Sequence, residues 1–150
     1  MKIRAAVEAA KDSGVLVMAR TDCRPTQGFD EALARIEIFV EEGADILFFD
    51  PADEEEVRRF VAAAAGRPTF AVLSPGAPRE TPSQKRAEEL GLKIGAYPTG
   101  LLSPVAAGIK AGLAALALGE AQAQTALPPP ELTALLGYAD YDRQAARFRL

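Results

Sequence analysis

The residues best placed to do chemistry follow short apolar runs. Arg20, Thr21 and Asp22 come directly after Val15–Ala19, and Asp50 follows Ile46–Phe49. Ser74 and Gly76 follow Thr69–Leu73, and Pro98 follows Leu92–Tyr97. An arginine at the end of a buried strand costs free energy unless it is paired or bound to an anion. Its planar fork suits a carboxylate or a phosphate. Two readings of Arg20 stay open: an anion anchor, or a salt bridge to Asp22 or Asp50 that closes the sheet end. Asp50 could hold a metal-bound water or orient a substrate; the plainer reading, which the spacing favours, is a strand stop before Pro51. The loop 74–78 offers backbone N–H groups near Gly76 that could touch a phosphate or carboxylate, a signal of low specificity. Cys23, the sole cysteine, reads as a small loop or core residue rather than a nucleophile. Glu41–Glu42 and the acidic run from Asp53 to Glu56 read as solvated helix ends.

What is missing narrows the chemistry further. The chain has no histidine, which excludes Ser-His-Asp and Cys-His catalysis from these residues alone and removes the commonest transition-metal ligand. A metal held here would be a hard cation on oxygen ligands, Mg²⁺ or Mn²⁺. The net charge of -4, with no cluster of Lys or Arg, argues against a nucleic-acid surface. No apolar run reaches the roughly 18 residues of a membrane span; the longest, Val105 to Leu118, is broken by Gly108, Lys110 and Gly112. One cysteine permits no intrachain disulfide, and a cytoplasmic location is expected. Charged residues through the first dozen positions give no signal peptide.

The elements that must position the strand tips alternate in type. Ala5, Ala6, Ala9 and Ala10 lie in a helix-favouring stretch ended by Gly14. Phe29, Leu33, Ile36 and Val40 fall on one helical face, with Asp30 and Glu31 at its start and Gly43 as its stop. Asp53 and Glu56 form a capping pair before Val57, Phe60, Val61 and Ala64, and Gly66 closes that helix. Thr81, Pro82 and Gln84 predict a capped helix start, running to Leu90 and stopping at Gly91. A long helix rich in small residues covers Ser103 to Leu118. The strands Val15–Ala19, Ile46–Phe49, Thr69–Leu73 and Leu92–Tyr97 therefore alternate with helices. That rhythm implies right-handed crossovers and a parallel sheet, with function at the C-terminal strand ends. Three consecutive prolines in 125–130 read as a connector, followed by helices over Glu131–Leu136 and Tyr138–Phe148.

The segment Met18-Ala19-Arg20-Thr21-Asp22 resembles the A-R-T-D motif of the isocitrate lyase/phosphoenolpyruvate mutase superfamily. Asp30-Glu31-Ala32 through Gly43-Ala44-Asp45 resembles the helix and strand that follow it there, and Leu136 to Tyr141 its C-terminal helices. The resemblance implies an α/β fold, a (β/α)₈ barrel, of which this chain supplies four βα units. A full barrel needs about 250 residues. The expected organisation is thus a half-barrel over 1–119, with a connector and C-terminal helices over 120–150. Met1–Arg4 already reads as helix with no cap before it, as a chain entering mid-barrel would.

The resemblance further implies Mg²⁺-dependent chemistry on small 2-oxo or 2-hydroxy carboxylates through an enolpyruvate-like intermediate. Arg20 would bind the substrate carboxylate or phosphonate, and Asp50 stands where methylisocitrate lyases place a glutamate near the reacting centre. Ser74, Gly76 and Pro98 would line the substrate. The family's Mg²⁺ carboxylates and lyase cysteine belong to the first barrel half; Cys23 is not that cysteine by position. Val72 replaces an asparagine of the lyases, and Ser103 stands near the place of an arginine they carry. The run Val72–Pro78 looks more like mutase-like members. The partners implied are a separate N-terminal half, or further copies of the chain in a homo-oligomer that exchanges the helix Ser103–Leu118. A non-catalytic remnant that oligomerises to close the barrel is the alternative.

Overall fold

The computed structural model describes residues 2–73, 82–119 and 126–148. They divide into two compact units, 1–101 and 102–150. The first holds a parallel sheet of β1 (Met18–Arg20), β2 (Ile46–Phe48), β3 (Thr69–Val72) and β4 (Ile94–Ala96), in the order β1-β2-β3-β4. Each crossover moves one strand further in the same direction. That is the winding of a barrel; a doubly wound sheet reverses its order at a switch point. The helices of this unit are α1 (Lys2–Ala10), α2 (Arg24–Gln27), α3 (Phe29–Glu41), α4 (Glu54–Ala63) and α5 (Gln84–Glu89).

Only one face of the sheet is packed by those helices. Side chains alternate across a strand, so Ala19, Leu47, Phe49, Ala71 and Leu73 share a face. All five lie in one core cluster with Ala32 and Ile36 of α3, Val57 and Phe60 of α4, and Ala87 of α5. Phe49 sits between Phe29, 5.8 Å away, and Phe60, 5.6 Å away and edge-on. Each large buried side chain of this kind contributes on the order of 1.5–3 kcal/mol by leaving water. The opposite face carries Met18, Arg20, Phe48, Phe70, Val72, Ile94 and Ala96, none of which belongs to that cluster.

Two turns show how the sequence delivers strands to the sheet. After α3 the Ala44 N–H reaches the Phe39 carbonyl at 3.0 Å and the Gly43 N–H the Val40 carbonyl at 3.1 Å. After α5, Leu92 and Gly91 make the same pair of bonds to Ala87 and Glu88. This Schellman geometry needs a left-handed residue between helix and strand, and Gly43 and Gly91 hold φ of 90° and 93°. A Cβ at Gly43 would come within 3.3 Å of Val7, so the absent side chain also lets α1 approach.

Three sequence expectations are corrected here. Val15 and Leu16 are 64% and 66% exposed and precede β1, which runs only from Met18. An apolar run marks a strand but not the neighbour that would cover it, and β1 lies at a sheet edge. The cap of α5 is Ser83, whose hydroxyl accepts the Arg86 N–H at 3.2 Å; Thr81, the expected cap, lies outside the described residues. Asp53 does cap α4 by accepting the Glu56 N–H at 2.9 Å. Glu56, however, is buried, and its carboxylate accepts the Ala52 N–H at 2.7 Å and engages Arg24.

The second unit contains α6 (Leu102–Ala117), α7 (Pro129–Leu135) and α8 (Tyr138–Ala146). Leu102, Val105, Ile109, Leu113 and Leu116 recur along α6 at spacings of three and four and are all exposed. Among the described residues, no helix is long and apolar enough to cross a membrane.

Candidate functional site

The C-terminal ends of β1 and β2 build the candidate site. Thr21 extends the ladder, its N–H donating to the Phe48 carbonyl at 3.2 Å. Its side chain is buried and donates to Cys23 Sγ at 3.2 Å. Cys23 is itself buried in the core cluster, which agrees with its reading as a core residue. Alternation along the strand then places Arg20 on the opposite face, where its side chain is 49% exposed. A cleft of about 290 Å³ opens at this end, lined by Thr21, Asp22, Arg24, Phe49, Asp50 and Ala52 among others.

Of the two readings left open for Arg20, the ion pair is realised with Asp22: Nε donates to Oδ1 at 2.8 Å. The pair is half in water, where such a contact contributes little to stability, so it does not by itself account for an arginine at this tip. The guanidinium carbon also lies 4.2 Å from the centroid of the Phe48 ring. Asp50 is half-buried, and its Oδ1 accepts the Val72 N–H at 2.9 Å. That bond carries the β2–β3 pairing past the rung from the Phe49 N–H to the Phe70 carbonyl, and so fixes the spacing of the two strand tips. Pro98 is exposed and lies in the turn closed by the Gly100 N–H and the Tyr97 carbonyl. Ser74 and Gly76 lie outside the described residues.

Sequence reasoning missed the pair between Arg24 and Glu56. Arg24 Nε donates to both carboxylate oxygens of Glu56, at 2.9 and 2.8 Å. This charge-assisted bond raises the Arg24 pKa above its ordinary value, against the opposing effect of burial. The pair ties the start of α2, two residues after Asp22, to the first turn of α4. The available signal was position: Glu56 is adjacent to Val57 and four residues before Phe60, on the inward side of the helix.

No group of three or more His, Cys, Asp or Glu among the described residues could hold a metal ion. Asp22 is engaged by Arg20 and Asp50 by a backbone N–H. These residues do not make an octahedral all-oxygen Mg²⁺ site.

The winding of the sheet and the arginine at its mouth define a barrel-type α/β protein that presents a cation at its C-terminal face. Residues 1–125 match the phosphoenolpyruvate phosphomutase family, and the chain belongs to that family. The 2,3-dimethylmalate lyase of Eubacterium barkeri is 44% identical over 101 residues, covering 65% of this chain and 34% of that protein. The 2-methylisocitrate lyase of Escherichia coli is 38% identical over 73 residues, 49% of this chain and 25% of that one. A solved 2,3-dimethylmalate lyase, a PEP mutase/isocitrate lyase superfamily member, superposes with a TM-score of 0.75 at 27% identity. That match covers 97% of this chain and 53% of the other. The chain thus spans about a third of the first of these relatives and about half of the solved chain. The superfamily resemblance carried by Ala19-Arg20-Thr21-Asp22 and the expected α/β fold are both borne out.

Proposed function

We propose that this chain supplies the substrate-anchoring half of a lyase or mutase acting on small 2-oxo or 2-hydroxy carboxylates. The reaction would cleave a C–C bond or move a phosphonyl group through an enolpyruvate-like intermediate. The observation that carries this reading is the placement of Arg20: at a strand tip, on the sheet face that α1–α5 do not pack, in a family whose relatives are lyases and mutases. A guanidinium there meets a carboxylate or phosphonate with two parallel bonds. Asp50 stands one strand over, where it would assist at the reacting centre, and Ser74, Gly76 and Pro98 would line the substrate. Mg²⁺ would stabilise the enolate oxygen in such chemistry. We assign its ligands to the N-terminal half of the barrel, and turnover therefore requires that half. The protein would work in the cytoplasm, and the apolar stripe on α6 would pack against a partner subunit.

Calorimetric titration with oxalate, a planar two-carboxylate anion, tests the reading in the presence and absence of Mg²⁺. Oxalate is expected to bind the folded chain and to lose at least tenfold in affinity in Arg20→Ala, since a charge-assisted bidentate pair is worth about 1.5–3 kcal/mol. Binding unchanged by that substitution would sink the assignment of Arg20.

A second reading, a non-catalytic module whose copies close the barrel on one another, is favoured by the edge positions of β1 and β4 among the described strands, beside a sheet face that α1–α5 do not pack. Unpaired edges invite strand addition. Light-scattering mass of the purified chain is expected to give a dimer or larger assembly. A stable monomer at tens of micromolar would rule this reading out.

A further inference from the structure

Arg20 is gripped from two directions. Its Nε donates to Asp22 Oδ1 at 2.8 Å, and its guanidinium carbon stands 4.2 Å from the Phe48 ring centroid. Phe48 is only 8% exposed although it lies outside the core cluster that α3–α5 form on the other face. The β-ladder registers it with Arg20 on one side and Phe70 on the other, and the two rings stand 4.4 Å apart with a 56° tilt. Arg20, Phe48 and Phe70 thus form one cross-strand row, in which the second ring keeps the first from turning. A guanidinium on an aromatic face keeps its plane along that face, and a carboxylate on Nε fixes its rotation within the plane. The Nη1 and Nη2 groups donate to no described residue.

We propose that Phe48 and Asp22 are positioning residues that hold the Arg20 fork with its Nη1–Nη2 edge turned to the substrate anion. This rests on the reading of Arg20 as the substrate anchor and goes beyond it. It explains why an aspartate, repulsive to any bound anion, stands two residues from the anchor. Asp22 occupies the one N–H that would otherwise let the anion bind side-on through Nε. What remains is a single edge that donates to two oxygens of one carboxylate in the guanidinium plane. Preorganisation of this kind raises affinity by removing the ordering cost from the binding step.

The sign of one substitution separates this role from plain electrostatics. Asp22→Asn removes a negative charge beside an anion site, so a purely coulombic effect would tighten oxalate binding. The positioning role predicts a loss of about five- to tenfold, as charge-assisted orientation is given up. Phe48→Leu, which keeps an apolar side chain, is expected to weaken oxalate by a similar factor, and Asp22→Glu to restore part of the loss made by Asn. Melting of each variant is followed in parallel.

Side-chain NMR of the full chain supplies a readout that needs no ligand. The Arg20 Nε–H signal, assigned by its disappearance in Arg20→Lys, is expected to exchange slowly with water in the wild type and faster in Asp22→Asn. The Arg20 Cδ protons, shifted by the Phe48 ring current, are expected to return toward their free position in Phe48→Leu. An Arg20 signal indifferent to both substitutions, or oxalate bound equally or more tightly by Asp22→Asn, overturns the proposal. A held guanidinium in a wild-type chain that binds no oxalate would instead sink the anchor reading and leave the positioning intact.

Discussion

Phe60→Ala is expected to destabilise the sheet unit by about 3–5 kcal/mol, the range for emptying a fully enclosed aromatic site. Phe60 is 0% exposed and packs edge-on against Phe49, which in turn meets Phe29. The cavity left behind cannot close easily. One wall is the sheet, held by ladders on both sides of β2, and another is α3, fixed by the turn at Gly43. A helix free to slide would recover part of the loss, but α4 is tied at its first turn by the Asp53 cap and the Glu56 bonds. Guanidinium unfolding followed by far-ultraviolet circular dichroism checks this. Phe148→Ala, at a residue 83% exposed, is the control and is expected to change stability by no more than about 0.5 kcal/mol. A cost for Phe60→Ala below about 1 kcal/mol, the centre of the range for ordinary point substitutions, would mean that this core is not packed as described.

The same contacts explain which parts of the molecule could be read in advance. The four strands and their parallel pairing follow from apolar runs alternating with helical stripes, because each helix must bury one face on the strands it joins; their sequential order was implied only by the family resemblance. Phe29, Leu33, Ile36 and Val40 carry α3 without tertiary knowledge, and Gly43 and Gly91 mark its end and that of α5, since only a left-handed residue completes those turns. Strand lengths were less legible. Val15 and Leu16 have the composition of a buried strand, but β1 is an edge and nothing in a one-dimensional pattern states which strand lacks a neighbour. Pairing of charges was least legible. The spacing offered Asp22 and Asp50 equally to Arg20, and the pleat puts both on its side of the sheet; hydrogen bonding decides, because Asp22 accepts from Arg20 Nε while Asp50 accepts the Val72 N–H. Glu56 looked like one more carboxylate in an acidic helix start, and Thr81 and Ser83 are both good caps. In each case the deciding partner lies far away in the chain or in the orientation of a neighbouring element.

Glu56→Gln is expected to cost about 2 kcal/mol and to reach the functional site as well as the fold. Its carboxylate accepts the Ala52 N–H and both bonds from Arg24 Nε, so one group ties the start of α2 to the loop after β2. A fully enclosed ion pair broken at one end costs about 3–5 kcal/mol. The Arg24 side chain is 35% exposed, so water can solvate it once its partner is neutral, and the lower figure follows. Glutamine keeps an acceptor for Ala52 and nearly the same shape, which confines the change to the charge. A double-mutant cycle with Arg24→Gln should therefore recover about 1–2 kcal/mol of coupling between these two positions in urea unfolding. Coupling near zero would show the pair to be incidental. The site follows because Asp22 stands two residues before Arg24, in the segment the pair restrains, and Cys23 between them is anchored in the core. Freed from Glu56, Arg24, which lines the same cleft as Asp22, becomes a mobile cation that competes with Arg20 for the Asp22 carboxylate. Oxalate affinity is then expected to fall in Glu56→Gln and to recover in the double variant, where that competitor is gone. A fall that persists in the double variant would mean that Glu56 supports the site by holding the loop alone, whatever the charge on Arg24.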